Sequence, residues 1–189
     1  MMAIDTFTPL RVVAISGSPN ERSRSSRLLQ ALLEQFGDAD VTQLRIDLAR
    51  LPADDLLGRT RTPVIAAALE AVRAAHIVAV STPVYRATYS GLLKVFFDLL
   101  PVNALDGKVG VALATGGSAA HQLVLDHGLR PLLASVGALV VPTLVYASDH
   151  QLTDVDLDDA IANRLARSAR EAVTAARALN TSAISLTGV

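Results

Sequence analysis

The chain has 189 residues, of which 51% are apolar, with 17 basic and 18 acidic side chains and no cysteine. This length and apolar content fit one folded domain and exclude a disordered chain. The balanced charge does not favour nucleic acid as a partner, and the lack of cysteine excludes disulfides, thiol catalysis and iron–sulfur clusters. No apolar stretch reaches the ~20 residues of a membrane span, and no basic segment followed by an apolar one opens the sequence. We therefore expect a cytoplasmic protein that does not bind membranes.

Five apolar runs alternate with amphipathic helical patterns along the chain. Strands are predicted at 11–16, 41–47, 76–81, 108–114 and 138–146. Helices are predicted at 27–36, 63–75, 92–100, 118–136 and 157–179. Most of the strand runs are continuous rather than alternating, as expected for strands covered on both faces. Pro142 lies inside the fifth run and predicts an edge position or a bulge there.

This alternation, without an internal repeat or a linker, predicts a doubly wound α/β fold. We expect a flavodoxin-like, five-stranded parallel sheet in the order 2-1-3-4-5, flanked by helices. The domain is predicted to occupy 10–180, between a flexible N-terminus (1–9) and a C-terminal tail (181–189). Ligands of such sheets bind beyond the carboxyl ends of the strands. The polar loops after the first, third and fourth strands are therefore expected to form one site.

The loop after the first strand is dense in hydrogen-bonding groups. It contains Ser18, Asn20, Arg22, Ser23, Arg24, Ser25 and Ser26. Serine and asparagine are common helix N-caps, but one hydroxyl would be enough for capping. Hydroxyls, guanidinium groups and the free N–H groups of a helix N-terminus together suit a phosphate. Since neither a G-x-G-x-x-G nor a G-x-x-x-x-G-K-[ST] motif is present, the loop predicts a phosphate monoester such as that of a mononucleotide cofactor.

The other two loops suit a flat ligand. After the third strand, Pro83, Val84 and Tyr85 offer backbone groups and an aromatic ring that can read the edge of a heteroaromatic ring. The alternative is that Tyr85 packs against the next helix. After the fourth strand, Gly116 and Gly117 allow close approach to the main chain, or they serve a turn that needs positive φ.

No catalytic or metal-binding set is recognisable in the sequence. The four histidines lack the i, i+4 spacing with a carboxylate that a helical zinc site uses, so no metal is predicted. A G-x-S-x-G nucleophile motif is also absent. A flavin site needs no such set, because the cofactor carries the chemistry.

These segments resemble the NAD(P)H-dependent FMN reductases, and most closely the reductase component of two-component alkanesulfonate and methanesulfonate monooxygenases. The resemblance rests on the segments 17–19, 23–26, 82–85, 89–94 and 114–117. It extends to 99–101, 105–109 and 129–131, so it spans most of 11–147.

The resemblance implies an FMN site built by all three loops. The implied phosphate ligands are Ser18, Ser23, Arg24 and Ser25, with Ser26 capping the helix instead. The implied contacts of the ring system and the ribityl chain are Pro83, Val84, Tyr85, Thr115, Gly116 and Gly117. NADH or NADPH would pass a hydride directly to FMN, so no catalytic residue is implied. Reduced FMN would then leave for an FMNH2-dependent monooxygenase, and the chain would form a homotetramer, a dimer of dimers.

One position departs from the alkanesulfonate group, whose members carry a tyrosine in the fourth helix, inserted as a π-bulge at the tetramer interface. The matching residue here is His127, as in relatives that serve methanesulfonate use, and Gly128 follows it. We predict a π-bulge at this point. The sulfonate system served and the strength of FMN binding stay open.

Two other functions remain as alternatives. The first is a related NAD(P)H quinone or azo reductase that retains its FMN. The second is a flavodoxin-like electron carrier without a nicotinamide site. Such carriers usually have an acidic surface for docking, and the near-neutral charge of this chain argues against that function.

Overall fold

A computed structural model describes residues 9–37, 40–153 and 157–186. Most of the predicted flexible N-terminus lies outside the described residues, as do the last three residues of the predicted tail. The strands are β1 (Leu10–Ser16), β2 (Val41–Asp47), β3 (Ile77–Pro83), β4 (Val109–Gly116), β5 (Leu139–Val140) and β6 (Val145–Ser148). The α-helices are α1 (Arg24–Glu34), α2 (Ala53–Leu56), α3 (Pro63–Ala74), α4 (Gly91–Asp98), α5 (Arg130–Ser135) and α6 (Asp159–Leu186). Leu48–Arg50 and Ala119–Leu123 form 3-10 turns, and Leu125–Leu129 forms a π-helix.

The sheet is parallel throughout the described strands and has the order β2-β1-β3-β4-β5, with β6 also paired to β4. The predicted flavodoxin-like order is therefore confirmed. The register aligns the strand ends: Ser16 lies opposite Ser81, and Gly116 lies opposite Ser148. The loops after β1, β3, β4 and β6 consequently leave the sheet at one edge, its carboxyl edge.

The predicted fifth strand is divided into β5 and β6, so the described sheet has six strands, five of them in the predicted order. The Val141 N–H still bonds the Gly110 carbonyl at 3.0 Å, but Pro142 has no N–H to donate. The next N–H, of Thr143, leaves the sheet and donates to the Glu171 carboxylate at 2.8 Å. Pairing with β4 resumes at Val145. The irregularity predicted at Pro142 is thus a break in the strand. After this break, β6 reaches the carboxyl edge and ends there at Ser148.

Apolar side chains of the central strands and of the helix faces form the core. Ala14, Ile15 and Val80 of the sheet are fully buried, as are Leu28 and Leu165 on the inner faces of α1 and α6. Burial on both faces explains the continuous apolar runs in β1, β3 and β4. Among the described residues, no helix combines the length and the apolar character needed to cross a membrane.

Two helices differ from their predicted forms. The predicted helix 118–136 is a 3-10 turn, a π-helix and α5 in succession, so the π-bulge predicted at His127 is confirmed. The backbone of α6 continues to Leu186, seven residues past its predicted end, so part of the predicted tail is helical.

Candidate functional site

The N-terminus of α1 forms one end of the site. Ser23 caps the helix, since its Oγ accepts a hydrogen bond from the Ser26 N–H at 3.1 Å. The expectation that Ser26 is the cap is therefore wrong. The Ser26 hydroxyl instead lies beneath the helix, within 2.8 Å of the Ser16 Oγ. The first turn of α1 itself carries no acidic residue, which suits an anion at the positive end of the helix dipole.

The four predicted phosphate ligands lie together but differ in access. Ser18 is 2% exposed and Ser25 is fully buried, and the Ser25 hydroxyl lies 3.0 Å from that of Ser23. Ser23 is half-buried and Arg24 is exposed. Among the residues that the structure describes, the backbone N–H groups of Arg24 and Ser25 have no acceptor. Ser23 and Arg24 are thus the side chains directly available to a ligand, with Ser18 and Ser25 behind them.

A tight turn forms the second wall. The Val84 N–H donates to the Thr115 carbonyl at 2.8 Å, which ties this loop to β4. Tyr85 and Thr88 then exchange two backbone hydrogen bonds, of 2.9 and 3.1 Å, across Arg86 and Ala87. These two central residues have φ values of 50° and 65°, a backbone that glycine and asparagine adopt far more easily. The chain therefore holds a strained turn beside the site.

Tyr85 is 50% exposed. The other two tyrosines, Tyr89 and Tyr146, pack against the core. Gly128 of the π-helix lies close beside Tyr89, because a Cβ at Gly128 would come within 3.2 Å of that ring. The π-helix and the turn at 85–88 are therefore packed against each other.

The third wall is the end of β4. Thr115 is buried there, and Gly116 lies where other residues converge. A Cβ at Gly116 would come within 2.7 Å of the Tyr146 Oη, 3.2 Å of the His121 Nδ1 and 3.3 Å of the Val84 Cβ. Close approach, not a turn with positive φ, is the reason for glycine at this position.

Tyr146 of β6 is fixed beside this glycine. Its Oη donates to the Ser118 carbonyl at 2.6 Å. Burial raises the pKa of the Tyr146 phenol, so the hydroxyl stays a donor at neutral pH.

The loop after β6 is the part of the site that the sequence did not predict. Asp149 pairs with Arg24, with 2.8 Å between carboxylate oxygen and guanidinium nitrogen. The signal was the polar run Ser148, Asp149 and His150 directly after an apolar run. It was not assigned to the site because the fifth strand was expected to be continuous and to end at Tyr146.

A cavity of about 310 Å³ adjoins the strained turn. It is lined by Ala87, Thr88, Ala120, His121, Leu123, Val124, His127 and Gly128. The Nδ1 atom of His121 is buried and has no hydrogen-bond partner among the described residues. The cavity could hold a second, partly apolar ligand next to the site formed by the loops.

The donor set and the shape of this site fit FMN. Half-buried Ser23 and exposed Arg24, with the free N–H groups of α1, suit a phosphate monoester. The exposed glycine Gly117 and the exposed ring of Tyr85 suit a planar ring system.

Comparison with known proteins gives the same answer. Residues 10–153 match the family described as NADPH-dependent FMN reductase. An "FMN reductase (NADPH)" of Escherichia coli is 41% identical over 77% of this chain and 76% of its own length. The "NADH-dependent FMN reductase SfnF" of Pseudomonas fluorescens is also 41% identical, over 79% and 82%. The apo structure of the NADH:FMN oxidoreductase EMOB is 38% identical, with a TM-score of 0.78 over 85% of this chain and 87% of that one. The chain therefore belongs to the NADPH-dependent FMN reductase family, whose activity is NAD(P)H:FMN oxidoreduction.

Proposed function

We propose that this chain transfers a hydride from NADH or NADPH to FMN and supplies the reduced flavin to an FMNH2-dependent monooxygenase of sulfonate metabolism. The observation that carries the first part is the meeting of a helix N-terminus with unpaired N–H groups and the Gly116–Gly117 loop at the carboxyl edge of the sheet. Membership of the family supports FMN and NAD(P)H as the two cofactors. The second part follows from the resemblance of the sequence motifs to the reductase components of sulfonate monooxygenases, and the similarity to the NADH-dependent FMN reductase SfnF is consistent with it.

In this proposal the chain contributes binding and orientation. Ser23, Arg24 and the first N–H groups of α1 hold the phosphate, with Ser18 and Ser25 supporting that loop from behind. Pro83, Val84 and Tyr85 lie on one side of the ring, and Thr115, Gly116 and Gly117 lie along its other edge. Bound FMN supplies an electrophilic ring that accepts the hydride. The protein's contribution is to hold the two reactants in contact, since direct hydride transfer needs no acid or base from the chain.

The exposed position of Arg24 agrees with a flavin that binds and dissociates as a substrate does. Arg24 keeps 45% of its side-chain surface open. A hydrogen bond made at such an exposed position exchanges with water and is worth less than one made in the interior. Release of reduced flavin to a partner requires this kind of moderate binding.

We further propose a cytoplasmic homotetramer, a dimer of dimers that uses the π-helix region as an interface. Leu123 lines the cavity beside the π-helix and is 58% exposed, and the 50% exposed Tyr85 begins the turn whose residues Ala87 and Thr88 line the same cavity. Apolar side chains that cluster in this way favour burial between subunits. A monomeric mass by light scattering at working concentration would contradict this assembly.

The direct test is NAD(P)H oxidation by flavin-free protein, followed by nicotinamide absorbance, with FMN, FAD and riboflavin each varied. We expect saturable turnover that prefers FMN to riboflavin. Equal turnover with FMN and riboflavin would contradict the proposed role of Ser23 and Arg24 in binding the phosphate. FMN binding without NAD(P)H oxidation would indicate the electron carrier. Tight, co-purifying flavin with ping-pong kinetics towards a quinone would indicate the FMN-retaining alternative.

The second part of the proposal needs its own experiment. The reductase is mixed with a sulfonate monooxygenase that lacks a flavin reductase, and sulfite release is measured. We expect sulfite only when NAD(P)H, FMN, oxygen and the active reductase are all present. Turnover of NAD(P)H without sulfite would leave the FMN reductase and remove this class of partner.

A further inference from the structure

An ion pair lies across the mouth of the proposed FMN site. The Asp149 carboxylate, in the loop after β6, is 2.8 Å from the guanidinium of Arg24 in the first turn of α1. The two side chains are 45% and 44% exposed, so both can change partner without unfolding the loops around them. Arg24 is thus occupied by a carboxylate at the position where the phosphate is proposed to bind.

Asp149 also borders the wall proposed for the flavin ring. A Cβ at Gly117 would lie 3.6 Å from the other oxygen of Asp149. Burial and the negative charge of Asp149 both raise the pKa of the Tyr146 phenol. One negative charge therefore stands between the phosphate end and the ring end of the site.

We propose that Asp149 competes with the FMN phosphate for Arg24 and thereby weakens flavin binding, so that FMN and FMNH2 exchange rapidly. This inference rests on the proposed function, because it assumes that the phosphate contacts Arg24. It makes Asp149 a residue that sets whether the flavin behaves as a substrate or as a retained cofactor.

The size of the effect follows from exposure. Exposed ion pairs are worth at most about 1 kcal/mol, which corresponds to about fivefold in a binding constant. A phosphate with up to two negative charges must displace the carboxylate and then remain near it. Riboflavin has no phosphate, so it neither has to displace the Asp149 carboxylate nor is repelled by it.

The experiment measures dissociation constants of FMN and riboflavin by quenching of flavin fluorescence, for the full chain and for Asp149→Asn. We expect FMN to bind about twofold to fivefold more tightly to the variant and to dissociate more slowly, with riboflavin unchanged. The advantage should shrink in high salt, because exposed charges are then screened. Weaker FMN binding, or an equal change for riboflavin, would overturn the proposal.

Asp98→Asn is the matched control. Asp98 also forms an exposed ion pair, with Lys94 at 2.6 Å on α4, so the substitution removes the same charge and the same kind of contact elsewhere. We expect no change in either dissociation constant. An equal tightening of FMN in this control would assign the effect to net charge and overturn the specific role of Asp149.

Arg24→Gln separates this inference from the function on which it rests. If Arg24→Gln does not weaken FMN relative to riboflavin, the phosphate assignment fails. If Arg24→Gln weakens FMN but Asp149→Asn does not tighten it, the competition alone fails. In the double variant we expect the gain from Asp149→Asn to be smaller than in the wild-type background, because the arginine for which the two anions compete is gone.

Discussion

The two edges of the parallel sheet differ in how completely their polar groups are paired. At the amino edge, the His76 Nδ1 accepts the Arg11 N–H at 2.8 Å, and the Arg11 Nε donates to the Ala74 carbonyl at 2.6 Å. Nearby, the Leu105 N–H donates to the Val136 carbonyl at 2.8 Å. These contacts tie the starts of the strands to the loops before them.

The carboxyl edge has open groups instead. Two N–H groups of α1 have no acceptor among the described residues, and the His121 Nδ1 is buried without a partner there. Arg86 and Ala87 have left-handed backbone. Unpaired donors and strained turns reduce stability but are the features that a ligand can use. The comparison supports the proposal that the amino edge stabilises the fold and that the carboxyl edge binds the ligands.

Gly137→Ala should give the largest loss of stability, at the amino edge. Gly137 has φ of 93°, and a Cβ there would fall on the Asp106 carboxylate. We expect the free energy of unfolding to fall by about 2–4 kcal/mol, measured by urea denaturation. Gly107→Ala is the control, since Gly107 has φ of 70° but open space around it, and should cost only about 1 kcal/mol.

If the two edges have separate roles, folded Gly137→Ala protein keeps its kinetic constants. A large loss of FMN turnover by the folded fraction would show that the amino edge also controls the site.

Arg24→Gln should give the largest functional loss at the carboxyl edge. An exposed ion pair contributes at most about 1 kcal/mol, so KM for FMN should rise by up to about fivefold while that for riboflavin stays constant. The melting temperature should not change, because the side chain is exposed. Arg59→Gln, which also removes an exposed ion pair, is the control for charge and should leave KM unchanged.

Ser23→Ala tests stability and binding in one variant, because Ser23 caps α1 and is also proposed to bind the FMN phosphate. Loss of the N-cap of α1 should lower the free energy of unfolding by about 1 kcal/mol, and loss of the hydroxyl should weaken FMN binding. Ser23→Thr keeps the capping oxygen and should retain most of the stability. Denaturation curves and FMN titrations of both variants are the measurements, and full stability of Ser23→Ala would contradict the capping role.

The smallest expected effect is a pH dependence at the amino edge. Burial, followed by the positive charges of Arg11 and Lys108, lowers the pKa of His76. The unfolded chain therefore takes up a proton near pH 6.5, while the folded chain resists it. The stability from neutral His76 is fully present above that pH and is lost as the pH falls towards the lower folded pKa.

Urea denaturation between about pH 5.5 and 7.5 measures this loss in the wild-type protein and in His76→Asn. The variant should be less stable at neutral pH and should show a weaker pH dependence. Equal slopes for the two proteins would show that His76 does not cause the dependence.

Sequence reasoning predicted the strand order, because continuous apolar runs and polar loops are local signals. It also placed Ser23 and Arg24 beside the start of the first helix, where the structure has them. It did not predict that Ser25 is buried, since counting hydroxyls does not tell which way each one points. Pro142 revealed an interruption, but not that pairing with β4 resumes after it. Asp149 was therefore not connected to the site, as its contact with Arg24 depends on where β6 ends.

The strained turn at Arg86 and Ala87 has a consequence for how this site can evolve. Most substitutions in an active site reduce stability and so limit which further changes a protein tolerates. Here the present residues already occupy a backbone that costs roughly 1–2 kcal/mol each, and glycine or asparagine would relieve it. Many changes at these two positions should therefore be neutral or stabilising. This loop can diversify, and with it the ligands that the neighbouring cavity accepts, while the rest of the fold stays intact.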